Sequence, residues 1–177
     1  MEGRGLTAVP SILHVGCGSR LLPEEFSSFG REVRLDIDPA VKPDVVASMT
    51  DLGEIGPFHM VYSSHCMEHL FPHEVGIALG EFLRVLKPGG AVVVIVPDLE
   101  GISPTNETVY DAACGPISGL DMYYGRAEFV EKSPFMAHRT GFVRGTLQSA
   151  LELAGFVSVQ VTRDPGFNLV AVGAKPV

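Results

Sequence analysis

SILHVGCG, residues 11–18, is a short apolar run that ends in two glycines. Four to eight apolar residues bounded by a turn signal read as a buried strand. Glycine accepts left-handed backbone angles and lets a ligand approach the main chain closely, so this strand feeds a tight turn suited to binding. Such turns are common, and alone this one carries little specificity. Its weight comes from Asp36, which follows a second apolar-patterned run, EVRL (32–35), twenty residues after Gly16. A carboxylate at that spacing can accept both hydroxyls of a ribose. The competing reading is a turn-forming aspartate ahead of Pro39. A dinucleotide fingerprint would carry a third glycine where this chain has Arg20, which fits a pyrophosphate poorly. Turn and acid together point to a nucleoside-bearing cofactor.

Outward from this unit, strands and helices alternate. DVVA (44–47) and FHMVYS (58–63) read as third and fourth strands. Val75, Leu79, Phe82, Leu83 and Leu86 fall at helical spacing, which predicts a helix over 72–86 with one buried face. KPGG (87–90) stops it, and AVVVIV (91–96) is a fifth strand, apolar throughout as suits a parallel sheet covered on both sides. Pro23 opens a short helix before the second strand. Helical spacing returns over 140–154 and is capped at Gly155, and 157–161 and 168–172 form a closing pair of strands. The expectation is an α/β, Rossmann-like, mostly parallel sheet with helices on both faces, in a single domain over 1–177. Ligands on such sheets bind beyond the carboxyl ends of the strands. Residues 98–137 interrupt the pattern with many turn residues and hold Tyr110, Tyr123 and Tyr124. An irregular stretch of that length is usually functional, so it reads as a lid-like insertion after strand five.

Hydrophobic residues make up 46% of the chain and charged residues 19%, a globular composition. The net charge of -8 argues against non-specific nucleic-acid binding. No apolar run approaches the roughly 20 residues of a membrane-spanning helix. Met1–Thr7 lacks the apolar core of a secretory leader. Three cysteines, Cys17, Cys66 and Cys114, form an odd set without zinc-ligand spacing and indicate reduced thiols in the cytoplasm.

ILHVGCG (12–18), VRLDIDP (33–39), SSHCMEHL (63–70), EFLRVLKPGGAVVVIVPD (81–98) and LELAGF (151–156) resemble, in that order, the type-11 group of class I S-adenosylmethionine methyltransferases. The resemblance runs from Ile12 to Lys175. It implies seven strands with the last antiparallel, S-adenosylmethionine as cofactor, and methyl transfer to a small-molecule acceptor. It further implies that the turn Gly16, Cys17, Gly18 lines the methionine and ribose moieties, and that Asp36 holds the ribose hydroxyls. Ile37 would pack on the adenine, with Thr50, Asp51 and Leu52 bordering it. Ser63, Ser64 and His65 would lie near the transferable methyl. The chain departs from the family at Arg20, where a small residue is common, and at Ser48 and His59, where aspartate is common. The helices that usually precede strand one are missing, which leaves one face of the sheet for a second copy to cover in a homodimer. Residues 107–144 also resemble a bacterial subgroup without a defined substrate class. That likeness implies that the segment supplies the cover and part of the acceptor pocket; the alternative is an inert surface insertion.

His65 and His138 are the candidate catalytic bases, since an imidazole titrates in the useful range. The three tyrosines are candidates for an aromatic wall around the sulfonium or the acceptor. Two rival functions stand beside methyl transfer. One is a cofactor-binding module without catalysis. The other is a zinc hydrolase, because His65-Cys-Met-Glu68-His69 spells H-x-x-E-H and His73 follows. That pattern needs a continuous helix, yet a strand runs directly into His65 and Pro72 interrupts before His73. No metal is therefore expected.

Overall fold

The computed structural model describes residues 9–177, so the reading of Met1–Thr7 lies outside the described residues. The strands in chain order are β1 (Ser11–Val15), β2 (Arg31–Asp36), β3 (Val45–Val46), β4 (Phe58–Ser64), β5 (Leu86–Pro97), β6 (Thr108–Ala112), β7 (Gly115–Ser118), β8 (Val157–Arg163) and β9 (Asn168–Ala174). Seven of them form one sheet in the order β3-β2-β1-β4-β5-β9-β8, while β6 and β7 pair separately. β1 to β5 run parallel, and β9 is antiparallel to both of its neighbours. The seven strands and the reversed last strand expected from the sequence are all present.

Helix α1 (Glu24–Ser27) is a single turn, and α2 (Pro72–Val85) follows β4. The Phe71 amide donates to the Glu74 carboxylate at 2.8 Å and Pro72 needs no donor partner, so the start of α2 is satisfied locally. Its buried face is Val75, Ala78, Leu79, Phe82 and Val85. Helix α5 (Arg144–Leu153) buries Leu147 and Leu151. Both helices pack on one sheet face with Leu13, Val15, Val61, Val92 and Val94. A fully buried side chain such as Phe82 contributes about 1.5–3 kcal/mol. The opposite face holds a smaller cluster of Ile12, Leu22, Tyr62 and Val93. Among the described residues its helical cover is α1, whose Phe26 packs against Tyr62 at 5.1 Å. Val172, level with Val93, is 43% exposed there. No helix is long and apolar enough to cross a membrane among the described residues.

Three element readings change. KPGG does not separate helix from strand: β5 begins at Leu86, Phe58 pairs with Leu86 and Met60 with Ala91, so 87–90 bulges out of the ladder. The helix expected from Thr140 starts at Arg144, because 140–143 is held elsewhere: Leu99 N–H donates to Phe142 O at 2.9 Å and Thr140 Oγ1 to Leu70 O at 2.6 Å. The insertion over 98–137 is not irregular. It contains the β6–β7 hairpin, α3 (Gly119–Tyr124) and α4 (Ala127–Lys132). These pieces are too short to show a hydrophobic period in sequence.

Candidate functional site

The chain leaves β1 through Gly16 at φ +66° and Gly18 at φ +50°. The amides of Gly16 and Cys17 both donate to Leu35 O, at 2.8 and 3.1 Å, which ties the turn to the end of β2. Gly18 N–H donates to Asp36 Oδ2 at 2.8 Å and Asp38 N–H to Oδ1 at 2.9 Å. Arg34 holds Gly18 O from the other side at 2.6 Å. A side chain at Gly16 would fall on the Cys66 sulfur, whereas a Cβ at Gly18 meets nothing within 4 Å. Gly16 is thus demanded by packing, and Gly18 leaves an open cradle beside the acid. An ionised carboxylate offers about four acceptor positions. Two are used by amides, and others remain for hydroxyls.

Ile37, the next residue, is 46% exposed. The turn after β3 is knitted by Ser48, whose hydroxyl meets Thr50 Oγ1 at 2.7 Å and accepts from Thr50 N–H at 3.2 Å. Asp51 accepts from Gly53 N–H at 3.2 Å. Ser63 and Ser64 end β4, and the buried Ser63 hydroxyl has no protein partner. Their neighbour His65 adopts φ +50°, rare for a residue with a Cβ, and its amide donates to Ile95 O at 2.9 Å. Burial pushes the Cys66 thiol pKa up, which disfavours the thiolate.

The other half of the edge centres on Glu68, in the one-turn 3-10 helix Met67–His69. Its side chain is 2% exposed and neither carboxylate oxygen has a hydrogen-bond partner. His65 Nδ1 lies 3.5 Å from Oε1, a charge contact too long for a good hydrogen bond. Burial raises the Glu68 pKa, but His65, His69 and His138 together outweigh it and hold the carboxyl below its usual range. The Glu68 carbonyl accepts from the amides of Arg139 and Thr140 at 2.8 and 3.1 Å, which brings the end of the insertion onto this loop. His69 and His138 thereby face each other with ring centres 5.2 Å apart. Burial lowers the His138 pKa, so its imidazole is neutral at physiological pH. Beside it opens a cleft of about 500 Å³ whose lining includes Leu99, Tyr123, Tyr124, His138 and Thr140.

Residues 13–94 match a family model described as a methyltransferase domain. The reversed last strand and the clamped glycine turn agree with that match, which spans just under half of the chain. The chain is 32% identical over 99 residues to the ubiquinone biosynthesis O-methyltransferase of Bradyrhizobium sp. (strain ORS 278), covering 47% of this chain and 38% of that protein. The chain thus spans 38% of the length of the curated relative it matches. Among solved structures it resembles DesVI of Streptomyces venezuelae, with TM-score 0.66, 18% identity, and coverage of 96% of this chain and 84% of the other. It also resembles the 1,6-didemethyltoxoflavin-N1-methyltransferase of Burkholderia thailandensis, solved with 1,6-didemethyltoxoflavin and S-adenosylhomocysteine. There the TM-score is 0.59 and the identity 17%, over 96% of this chain and 72% of the other. These structural likenesses establish the fold.

Within this fold, Gly16, Cys17, Gly18, Asp36 and Ile37 meet at the carboxyl ends of β1 and β2, and Thr50 and Asp51 follow β3. Ser63, Ser64 and His65 end β4. His138 joins them from the insertion. Tyr123 and Tyr124 line the cleft, but Tyr110 does not: it stacks on Phe167 at 5.4 Å. The H-x-x-E-H pattern forms no α-helix, only the single 3-10 turn Met67–His69, and His73 stacks on Phe71 at 5.8 Å. The contacts of three residues escaped the sequence reading. Cys66 fills the space that Gly16 leaves. Asp98, 1% exposed, pairs with Arg163 at 2.5 Å and anchors the departure of the insertion. Glu68 had its signal in the motif, but its partner His138 is seventy residues away and no local pattern joins them.

Proposed function

We propose that this protein transfers a methyl group from S-adenosylmethionine to a small-molecule acceptor. The observation that carries the reading is the Gly18–Asp36 hydrogen bond, which presents an open glycine cradle beside an acid with acceptor capacity to spare. When bound, the cofactor supplies an electrophilic methyl on a sulfonium. Gly16, Cys17 and Gly18 line its ribose and methionine side, Asp36 accepts from the ribose hydroxyls, and Ile37 covers the adenine beside Thr50 and Asp51. Ser63, Ser64 and His65 lie toward the methyl. Positioning and exclusion of water by these residues supply several kcal/mol of the barrier reduction.

The acceptor enters the cleft, whose volume suits a small organic molecule. His138 lines the cleft and donates Nδ1–H to Met122 O at 2.8 Å, which leaves its Nε2 as an acceptor. His65, 44% exposed in its side chain, is the imidazole free to take up a released proton. Free Cys17, Cys66 and Cys114 fit a reducing cytoplasm. The thinly covered sheet face around Val172 favours a homodimer, which a monomeric mass in light scattering at high concentration would exclude.

The test is calorimetric titration with S-adenosylhomocysteine, followed by incorporation of labelled methyl groups into small molecules of a cell extract. One-to-one binding weakened at least a hundredfold by Asp36→Ala, with incorporation, supports the reading. Binding without incorporation would favour a non-catalytic module, and no binding by the intact protein overturns the cofactor assignment.

A further inference from the structure

Glu68, His69 and His138 present an unusual imbalance of acceptors. Glu68 is buried, and neither of its oxygens meets a hydrogen-bond donor. His69 Nδ1 lies 3.1 Å from Ala137 O, and His138 Nδ1 lies 2.8 Å from Met122 O. A carbonyl can only accept, so each ring places its proton on Nδ1 and leaves Nε2 as a bare lone pair. One ligand atom from each of the three residues lies within 4.8 Å of the others. Two imidazoles and a carboxylate that accepts no hydrogen bond thus converge, and His65 Nδ1, 3.5 Å from Glu68 Oε1, is too far to supply one. The nearby guanidinium of Arg139 does not fill the role: it lies over the Phe71 ring at 4.7 Å and reaches His69 O at 3.4 Å. Burying unpaired acceptors costs several kcal/mol unless a proton or a cation joins them.

We propose that Glu68, His69 and His138 bind one divalent transition cation of the zinc, cobalt or iron(II) type. Two histidines and one carboxylate are a ligand set that such ions favour, and they leave coordination positions open. Magnesium and calcium prefer all-oxygen sites, so they bind here weakly. The Nδ1–H bonds to Ala137 O and Met122 O are the supporting contacts that fix ring and tautomer at metal centres. The ligands come from two segments, the loop after β4 and the end of the insertion. The site therefore forms only when the Glu68 carbonyl holds Arg139 and Thr140. The zinc-hydrolase reading of H-x-x-E-H used His65 and His69 on a helix; this site instead pairs Glu68 and His69 with His138. On the methyl-transfer reading, on which this consequence alone rests, His138 also lines the cleft, so an ion held there would favour an acceptor with an ionisable hydroxyl.

The experiment uses the full chain, stripped with a chelator and free of cofactor and acceptor, so its outcome is independent of methyl transfer. Cobalt(II) is titrated by visible absorption, and zinc and magnesium by calorimetry. The expected result is one equivalent of cobalt or zinc, no thiolate charge-transfer band, and little response to magnesium. His138→Gln and Glu68→Gln, checked for folding by circular dichroism, should each weaken cobalt binding at least a hundredfold. Absence of cobalt and zinc binding by the unmodified protein overturns the proposal. Equal binding by folded His138→Gln and Glu68→Gln overturns it as well, because the ion would then sit elsewhere.

Discussion

Asp36 and Glu68 are both acids at the carboxyl edge of one sheet, and the chain treats them in opposite ways. Asp36 is half-buried and each of its oxygens already takes a backbone amide. Glu68 is buried and neither oxygen takes a hydrogen bond. The first half of the site is assembled by the chain's own hydrogen bonds before any ligand arrives. The second half concentrates uncompensated acceptors, an arrangement that persists only because the surrounding packing over-determines it.

The contrast can be broken most severely at Gly16. Gly16→Ala adds a side chain at φ +66° against the Cys66 sulfur. Left-handed strain and overpacking together should lower the unfolding free energy by about 3 kcal/mol in urea titrations. Adding Cys66→Ala should recover the overpacking part, roughly half. No recovery would mean that Cys66 does not dictate the glycine.

Next in size is a pair with opposite signs. Asp36→Ala removes two amide–carboxylate hydrogen bonds and should cost about 2 kcal/mol. Glu68→Gln, measured with chelator, removes a buried carboxylate whose oxygens accept no hydrogen bond and should gain about 1 kcal/mol. If thermal unfolding shows both variants destabilised alike, the two acids are not opposites.

The smallest effect lies beneath the glycine turn. His14 is buried with Nδ1 2.7 Å from Glu32 Oε1. Burial, partly opposed by Glu32, holds its pKa below the usual 6.5. As pH falls through that value the unfolded chain takes up the proton first, so stability should decline below about pH 6.5, by less than about 1.4 kcal/mol per pH unit. His14→Gln should flatten that part of the pH–stability curve; an unchanged slope would assign it to other groups.

The sheet was legible because its strands are continuous apolar runs ended by glycine, proline or aspartate. The apolar spacing of Val75, Leu79 and Phe82 likewise announced α2. The pairing of the glycine turn with Asp36 was legible because turn and acid are local and lie at a fixed spacing. The insertion was not, since hairpin and helices of four to six residues show no period. Nor was the start of α5, because the bonds that hold Thr140 and Phe142 reach across to Leu70 and Leu99.

By itself, the sequence determined the seven-stranded order of elements, the glycine turn and the placement of Asp36 beside it, all of which follow from periodicity and short spacing. Only the tertiary structure decided that Cys66 makes Gly16 obligatory, that Tyr110 faces Phe167 and not the cleft, and that His138 meets Glu68 and His69. Those outcomes depend on backbone hydrogen bonds between segments as many as seventy residues apart. A chain read in order carries no local mark of such contacts.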